Sequence, residues 1–107
     1  MVISIVIRCS FEGVHSWPGA PSHLRENYLS YPHRHRFHVE ATKTVTHTER
    51  DVEFIQFQRE VETYCAHRYA GPHTFSCESM AVDLVERFGL SRCRVMEDAE
   101  NGAEVEA

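Results

Sequence analysis

The sequence predicts an α+β domain with element order ββααββ, and three observations carry that prediction. Two long stretches alternate apolar and polar residues with period two, which marks half-buried strands. Between about residues 52 and 88 the period lengthens to 3.6, which marks amphipathic helices. Near the end, Asn101-Gly102 is a strong two-residue hairpin signal. The chain has 107 residues, so residues 1–107 are read as a single domain. A domain this small buries a modest core, and self-association is a common remedy.

In the first strand, residues 2–11, Ile3, Ile5, Ile7, Cys9 and Phe11 take one face, while Ser4, Arg8 and Ser10 take the other. Residues 12–32 hold Pro18, Pro21 and Pro32 and read as a long loop of the kind that carries function. Residues 33–48 form the second strand, with His33, His35, Phe37, Val39, Ala41, Lys43 and Val45 on one face. Phe54, Phe57, Val61, Tyr64 and Cys65 recur at helical spacing over about 52–68, and Gly71-Pro72 ends that helix. Ser76 is the expected N-cap of a second helix, with Glu78 in its first turn. Met80, Ala81, Leu84 and Phe88 form its inner face, and Gly89 follows as the residue past its end. Residues 92–98 are a third strand, and 103–106 return as a short fourth after the Asn101-Gly102 turn.

Composition narrows the function. A net charge of −5 argues against nucleic acid as a partner, because phosphate binding wants a basic surface. The apolar opening Val2–Ile7 ends at Arg8 and is too short to span a bilayer, so no membrane association is expected. None of the four cysteines forms a Cys-x-x-Cys pair, which suits a cytoplasmic protein with reduced thiols.

Eight histidines are many for this length, and three are placed to bind a metal. His33 and His35 open a strand, so both imidazoles share a face roughly 6–7 Å apart along the chain. His38 falls on the opposite face. With the lone upstream histidine of Phe11-Glu12-Gly13-Val14-His15, the pair completes a three-imidazole site that suits Zn2+ at about 2.0–2.1 Å, with a position left open for water or substrate.

This order and these residues resemble the 6-pyruvoyl-tetrahydropterin synthase family, which includes the 6-carboxy-tetrahydropterin synthases of queuosine (7-deazaguanine) biosynthesis. The likeness runs over nearly the whole chain. Phe11 to His15 is similar to the family's Phe-x-x-x-His, and His33-Arg34-His35 to its His-Gly-His. The resemblance makes His15, His33 and His35 the zinc ligands. Glu53-Phe54 matches the family's first-helix start, and Ala66-His67 its Asp-His. Ser76-Cys77-Glu78-Ser79-Met80-Ala81 matches its Thr-Ser-Glu-x-x-Ala, and Val95-Met96-Glu97 its Val-x-Glu. By resemblance, Glu97 anchors the pterin ring, whose N–H edge a carboxylate can take in a forked pair. His67 in turn moves protons.

What the resemblance implies is a tunnelling (T-) fold: an antiparallel sheet with two helices on one face, closed into a barrel by oligomerisation. Members are commonly hexamers built from two trimers, with sites at subunit interfaces, so His67 and Glu97 are expected to serve pockets of different chains. The implied activity is that of a zinc-dependent lyase, cleaving carbon–carbon or carbon–oxygen bonds, on 7,8-dihydroneopterin triphosphate. The 6-carboxy product is preferred, and the 6-pyruvoyl product is the alternative. The chain departs from the family at three places. Leu29 stands where the queuosine branch has its catalytic cysteine, Ala66 replaces the aspartate beside His67, and Arg34 replaces the glycine between the zinc histidines. Glu26 is the candidate substitute base in the loop, and Cys77 opens the second helix where a thiolate is favoured. These departures sustain a third reading, a diverged metal- and pterin- or purine-binding protein without the standard reaction.

Overall fold

The computed structural model describes residues 1–24 and 27–107. In chain order the elements are β1 (Ile3–His15), β2 (His33–Val45), α1 (Phe54–Tyr69), β3 (Pro72–His73), α2 (Cys77–Phe88), β4 (Arg92–Glu97) and β5 (Asn101–Glu106), with a 3₁₀ turn at Asn27–Ser30. The five strands form one mixed sheet in the order β3-β1-β2-β4-β5, with both helices packed on it, so the class is α+β as expected.

β1 and β2 pair antiparallel along their full length, from Ile3 opposite Val45 to His15 opposite His33. Their odd-numbered side chains turn inward, as the alternation predicts. Phe11, Phe37, Val39 and Ala41 join Cys93 and Val95 of β4 in the core. Both helices cover this face, α1 through Phe57, Val61, Cys65 and Tyr69, and α2 through Met80, Ala81 and Leu84. Gly13 lets α1 end close above β1. A Cβ there would stand 2.6 Å from the Tyr69 carbonyl oxygen, so a larger residue would push the helix end off the sheet.

Three sequence expectations are corrected. First, the sheet is not purely antiparallel: after Gly71 the chain returns beside the end of β1, and β3 pairs parallel with Val14 and His15. Pro72 has no N–H to give, which fits the outermost position in the sheet. Second, the hairpin turn is carried by Asp98 and Ala99, both left-handed (φ 53° and 59°), with Glu100 N donating to Glu97 O at 2.9 Å. Asn101 and Gly102 pair inside the ladder with Glu97 and Met96. Asp98 anchors the turn by accepting from Arg36 N at 3.0 Å and donating its own N–H to Arg36 O at 2.8 Å. Those bonds offset a left-handed penalty of roughly 1–2 kcal/mol per non-glycine residue. Third, Phe54 is not core. It stays half exposed beside Ile55 at the start of α1, near Val6 on β1.

The α2 expectations hold in detail. Ser76 Oγ accepts from Ser79 N at 3.1 Å, and Gly89 ends the helix at φ 62°. α1 is capped by Glu53, whose carboxylate accepts from Ile55 N and Gln56 N at 3.0 and 2.8 Å. Those N–H groups hold its pKa below the ordinary 4.5. A depressed folded pKa gives stability that is complete above the ordinary value and is lost as pH falls through the folded one. Glu53→Gln is therefore expected to melt earlier than wild type at pH 7, with the difference closing as pH falls below the ordinary carboxylate value and the wild-type carboxylate is protonated.

The even-numbered face of the sheet is polar. One row crosses all four long strands with alternating charge: Arg8 opposite Glu40, Glu40 opposite Arg94, Arg94 opposite Glu104. Arg8 Nε donates to Glu40 at 2.9 Å, and Glu104 accepts from Arg94 at 2.9 Å. Among the described residues, no helix is long and apolar enough to cross a membrane. All four cysteines are free and buried, and burial pushes the Cys9 and Cys93 thiols up to about 12, so these two act as small core side chains.

Candidate metal centre

The register of β1 and β2 builds the site. His15 and His33 are directly opposed, and His35 follows two residues along on the same face. Their ring centroids lie 4.6 Å (His15–His33), 4.9 Å (His33–His35) and 5.2 Å (His15–His35) apart. Glu97, at the end of β4 and paired with Phe37, brings a carboxylate to the same face. Its Oε2 stands 2.9 Å from His15 Nε2 and 3.4 Å from His35 Nε2. One donor atom from each of the four residues lies within 4.8 Å of every other. A tetrahedral ion with bonds of about 2.0–2.1 Å sets its donors roughly 3.4 Å apart, so a modest closing of the rings suffices.

Each imidazole is held from behind. His15 Nδ1 donates to Phe75 O at 2.9 Å, His33 Nδ1 to Tyr31 O at 2.8 Å, and His35 Nδ1 to Asp98 Oδ2 at 2.6 Å. Carbonyls and carboxylates only accept, so each Nδ1 carries a proton and each Nε2 faces the cluster; His15 Nε2 donates to Glu97 Oε2 at 2.9 Å, a proton that a bound ion would displace. His35 Nε2 is buried and its contact with Glu97 lacks hydrogen-bond geometry. A buried nitrogen without a partner is costly in an apo protein and is what a metal ligand looks like. The set of three nitrogens and one oxygen fits Zn2+ and its borderline neighbours. The sequence reading left the fourth position open, whereas the structure stands Glu97 there.

The electrostatics match a cluster of opposite charges. Burial pulls the His15 pKa down, but Glu97 and the Phe75 carbonyl outweigh it and leave the pKa raised. His15 in turn is the main cause of the lowered Glu97 pKa, against the opposing effect of burial. Behind His15 sits His73, with ring centroids 5.7 Å apart. Its pKa is lowered first by burial and then by the charge of His15.

A cleft of about 460 Å³ opens from His15, His33 and Glu97. Trp17, Leu29 and Phe75 line it, with Ser76, Cys77 and Glu78 from the start of α2. Trp17 is half exposed at this cleft, and it is the chain's single tryptophan. Cys77 is a buried packing residue: burial first, then Glu97 and Glu78, push this thiol up to about 12 despite the helix start.

One expected catalytic residue, His67, is not brought to the cluster within one chain. His67 is exposed on α1, between buried Cys65 and Tyr69, and is not among the residues lining the cleft. Glu26 lies outside the described residues. Sequence reasoning missed Asp98, His73 and the carbonyls of Tyr31 and Phe75. Asp98 follows Glu97 directly, but its place behind His35 depends on a strand register that sequence spacing does not give. In comparisons with known proteins, no family model matches this chain, and no curated protein matches it.

Proposed function

We propose that this chain is a zinc-dependent, T-fold lyase of the 6-carboxy-tetrahydropterin synthase type, acting on 7,8-dihydroneopterin triphosphate. The observation that carries this reading is the convergence of His15, His33, His35 and Glu97 at one end of a cleft lined by Trp17 and Phe75. Bound zinc would supply a Lewis acid for the vicinal side-chain hydroxyls of a reduced pterin. On ligand binding Glu97 would yield the fourth metal position to a substrate oxygen and turn to accept the ligand's N–H or O–H donors, while the aromatic lining excludes water from its ring. Four unpaired thiols fit a cytoplasmic setting.

The proposed assembly is a homo-oligomeric barrel, with the hexamer of the resembling family as the expected state. β1, beyond its short contact with β3, and β5 are the outer strands of the sheet, and such edges are usually paired or covered. The charged row ends in Arg8 at one edge and Glu104 at the other, so copies joined β5 to β1 continue the alternation from chain to chain. At the β1 edge, Gln58 Nε2 now holds the Arg8 carbonyl at 2.7 Å and would yield that bond to a neighbouring strand. Such a ring also offers a route for His67 to reach a neighbour's cleft.

A second reading, the diverged pterin- or purine-binding protein, draws on Leu29. It lines the cleft where the queuosine branch has its cysteine, and it can move no proton. The only fully charged side chains among the described lining residues are the carboxylates of Glu78 and Glu97, which suits a neutral, donor-rich heterocycle. Incubating the zinc-loaded protein with 7,8-dihydroneopterin triphosphate, with products read by mass spectrometry, separates the readings. A 6-carboxy product supports the synthase and a 6-pyruvoyl product its alternative. Unchanged substrate that still quenches Trp17 fluorescence sinks the lyase and leaves the binder.

A further inference from the structure

We propose that Asp98 is a positioning residue for the metal, selecting the ligating tautomer of His35. The proposal rests on the reading that His15, His33, His35 and Glu97 hold an ion. Three observations carry it. Asp98 is one of few non-glycine residues with positive φ (53°), at a turn position where glycine would avoid the strain. Both its carboxylate oxygens are engaged, Oδ2 by His35 Nδ1 at 2.6 Å and Oδ1 by Arg36 N at 3.0 Å. Behind His35 the structure sets this carboxylate, where, among the described residues, His15 and His33 are held at Nδ1 by backbone carbonyls.

The geometry acts as follows. The bond to Arg36 N holds one carboxylate oxygen, so the other presents a fixed acceptor to His35. An acceptor at Nδ1 holds the ring proton there and leaves the Nε2 lone pair aimed at Glu97 and His15. Carboxylate–imidazole–metal chains of this kind also stiffen the ring and strengthen it as a donor. The hairpin between β4 and β5 thus delivers two groups from adjacent residues, Glu97 in front of the imidazoles and Asp98 behind one of them.

Asparagine tests this better than alanine, because it tolerates the left-handed backbone. With its oxygen on Arg36 N, Asp98→Asn turns an NH2 donor toward His35 and favours the tautomer with the proton on Nε2, which blocks ligation. Asp98→Gly keeps the turn and removes the acceptor without reversing the preference. Zinc affinity, measured by competition with a chromophoric chelator, is expected to fall by about 10–100-fold in Asp98→Asn and less in Asp98→Gly. The metal-free melting temperature of Asp98→Asn should stay close to wild type. A purely structural role predicts that affinity follows melting temperature instead. Affinities within twofold of wild type in both variants overturn the proposal while leaving the metal site standing. In the metal-free wild type, nitrogen NMR of His35 should show the proton on Nδ1, and a proton on Nε2 overturns the proposal even if the variants fail to fold. A wild type that binds no zinc overturns the metal reading itself.

Discussion

His35→Ala is expected to lower zinc affinity by roughly a hundredfold or more. Structural zinc sites with four donors hold their ion with about 10–16 kcal/mol, so one donor in four accounts for on the order of 3 kcal/mol. The same loss shows in thermal stability. At a metal concentration about a hundredfold above Kd, an ion that binds only the folded state adds about 2.7 kcal/mol. In a domain near 100 residues that raises Tm by roughly 10–20 °C. Wild type should show this zinc-dependent rise and His35→Ala should lose most of it. His38→Ala, on the opposite face of β2, serves as the control and should keep it. An equal rise in His35→Ala and wild type contradicts the ligand assignment.

Arg8→Glu is expected to shift the proposed ring toward single chains. The substitution removes the Arg8–Glu40 pair and sets a carboxylate beside Glu40 and, across the proposed interface, beside Glu104. Like charges directly opposed on neighbouring strands cost about 0.2–1 kcal/mol each, and a closed ring repeats that cost at every interface. Light scattering coupled to size exclusion, at matched concentration and low salt, should show the wild type as an oligomer and Arg8→Glu with a lower mean mass. The gap should narrow at high salt, where exposed charges are screened. A wild type that runs as a single chain, or an oligomer indifferent to this reversal, argues against the β5-to-β1 arrangement.

Much of this fold is legible in the sequence, for physical reasons that vary from element to element. The long period-two runs of β1 and β2 are legible because one face is buried and the other is charged, but β1 continues through residues 12–15, which read as loop, and β2 stops at Val45 rather than 48. α2 reads almost to the residue because Ser76, Glu78 and Gly89 signal its ends chemically. The parallel β3 is invisible because two residues have no period. The hairpin turn misleads because Asn101-Gly102 is the better local turn, while Asp98 gains two tertiary acceptor contacts that no local rule counts.

The site divides in the same way. His33 and His35 can be placed from parity alone, since strand geometry fixes which imidazoles share a face; His15 falls in a segment that reads as loop, and its place opposite His33 comes from β1 running on to residue 15. Glu97 can be found from its short motif, but its position among the imidazoles needs the β2–β4 register. His67 reads as catalytic by resemblance, and on one chain it remains an exposed helix residue. Trp17 is visible in the sequence only as an aromatic in a loop, and its place in the cleft comes from the path of the chain after His15.

The most direct test is a titration of the metal-free wild type with cobalt(II), followed by visible absorption. The account predicts saturation at a single ion per chain, with the intense bands of a low-coordinate nitrogen–oxygen site that zinc then bleaches and His33→Ala abolishes. Weak, unsaturating bands that persist in His33→Ala would contradict it, because the four converging donors would then not be a metal centre.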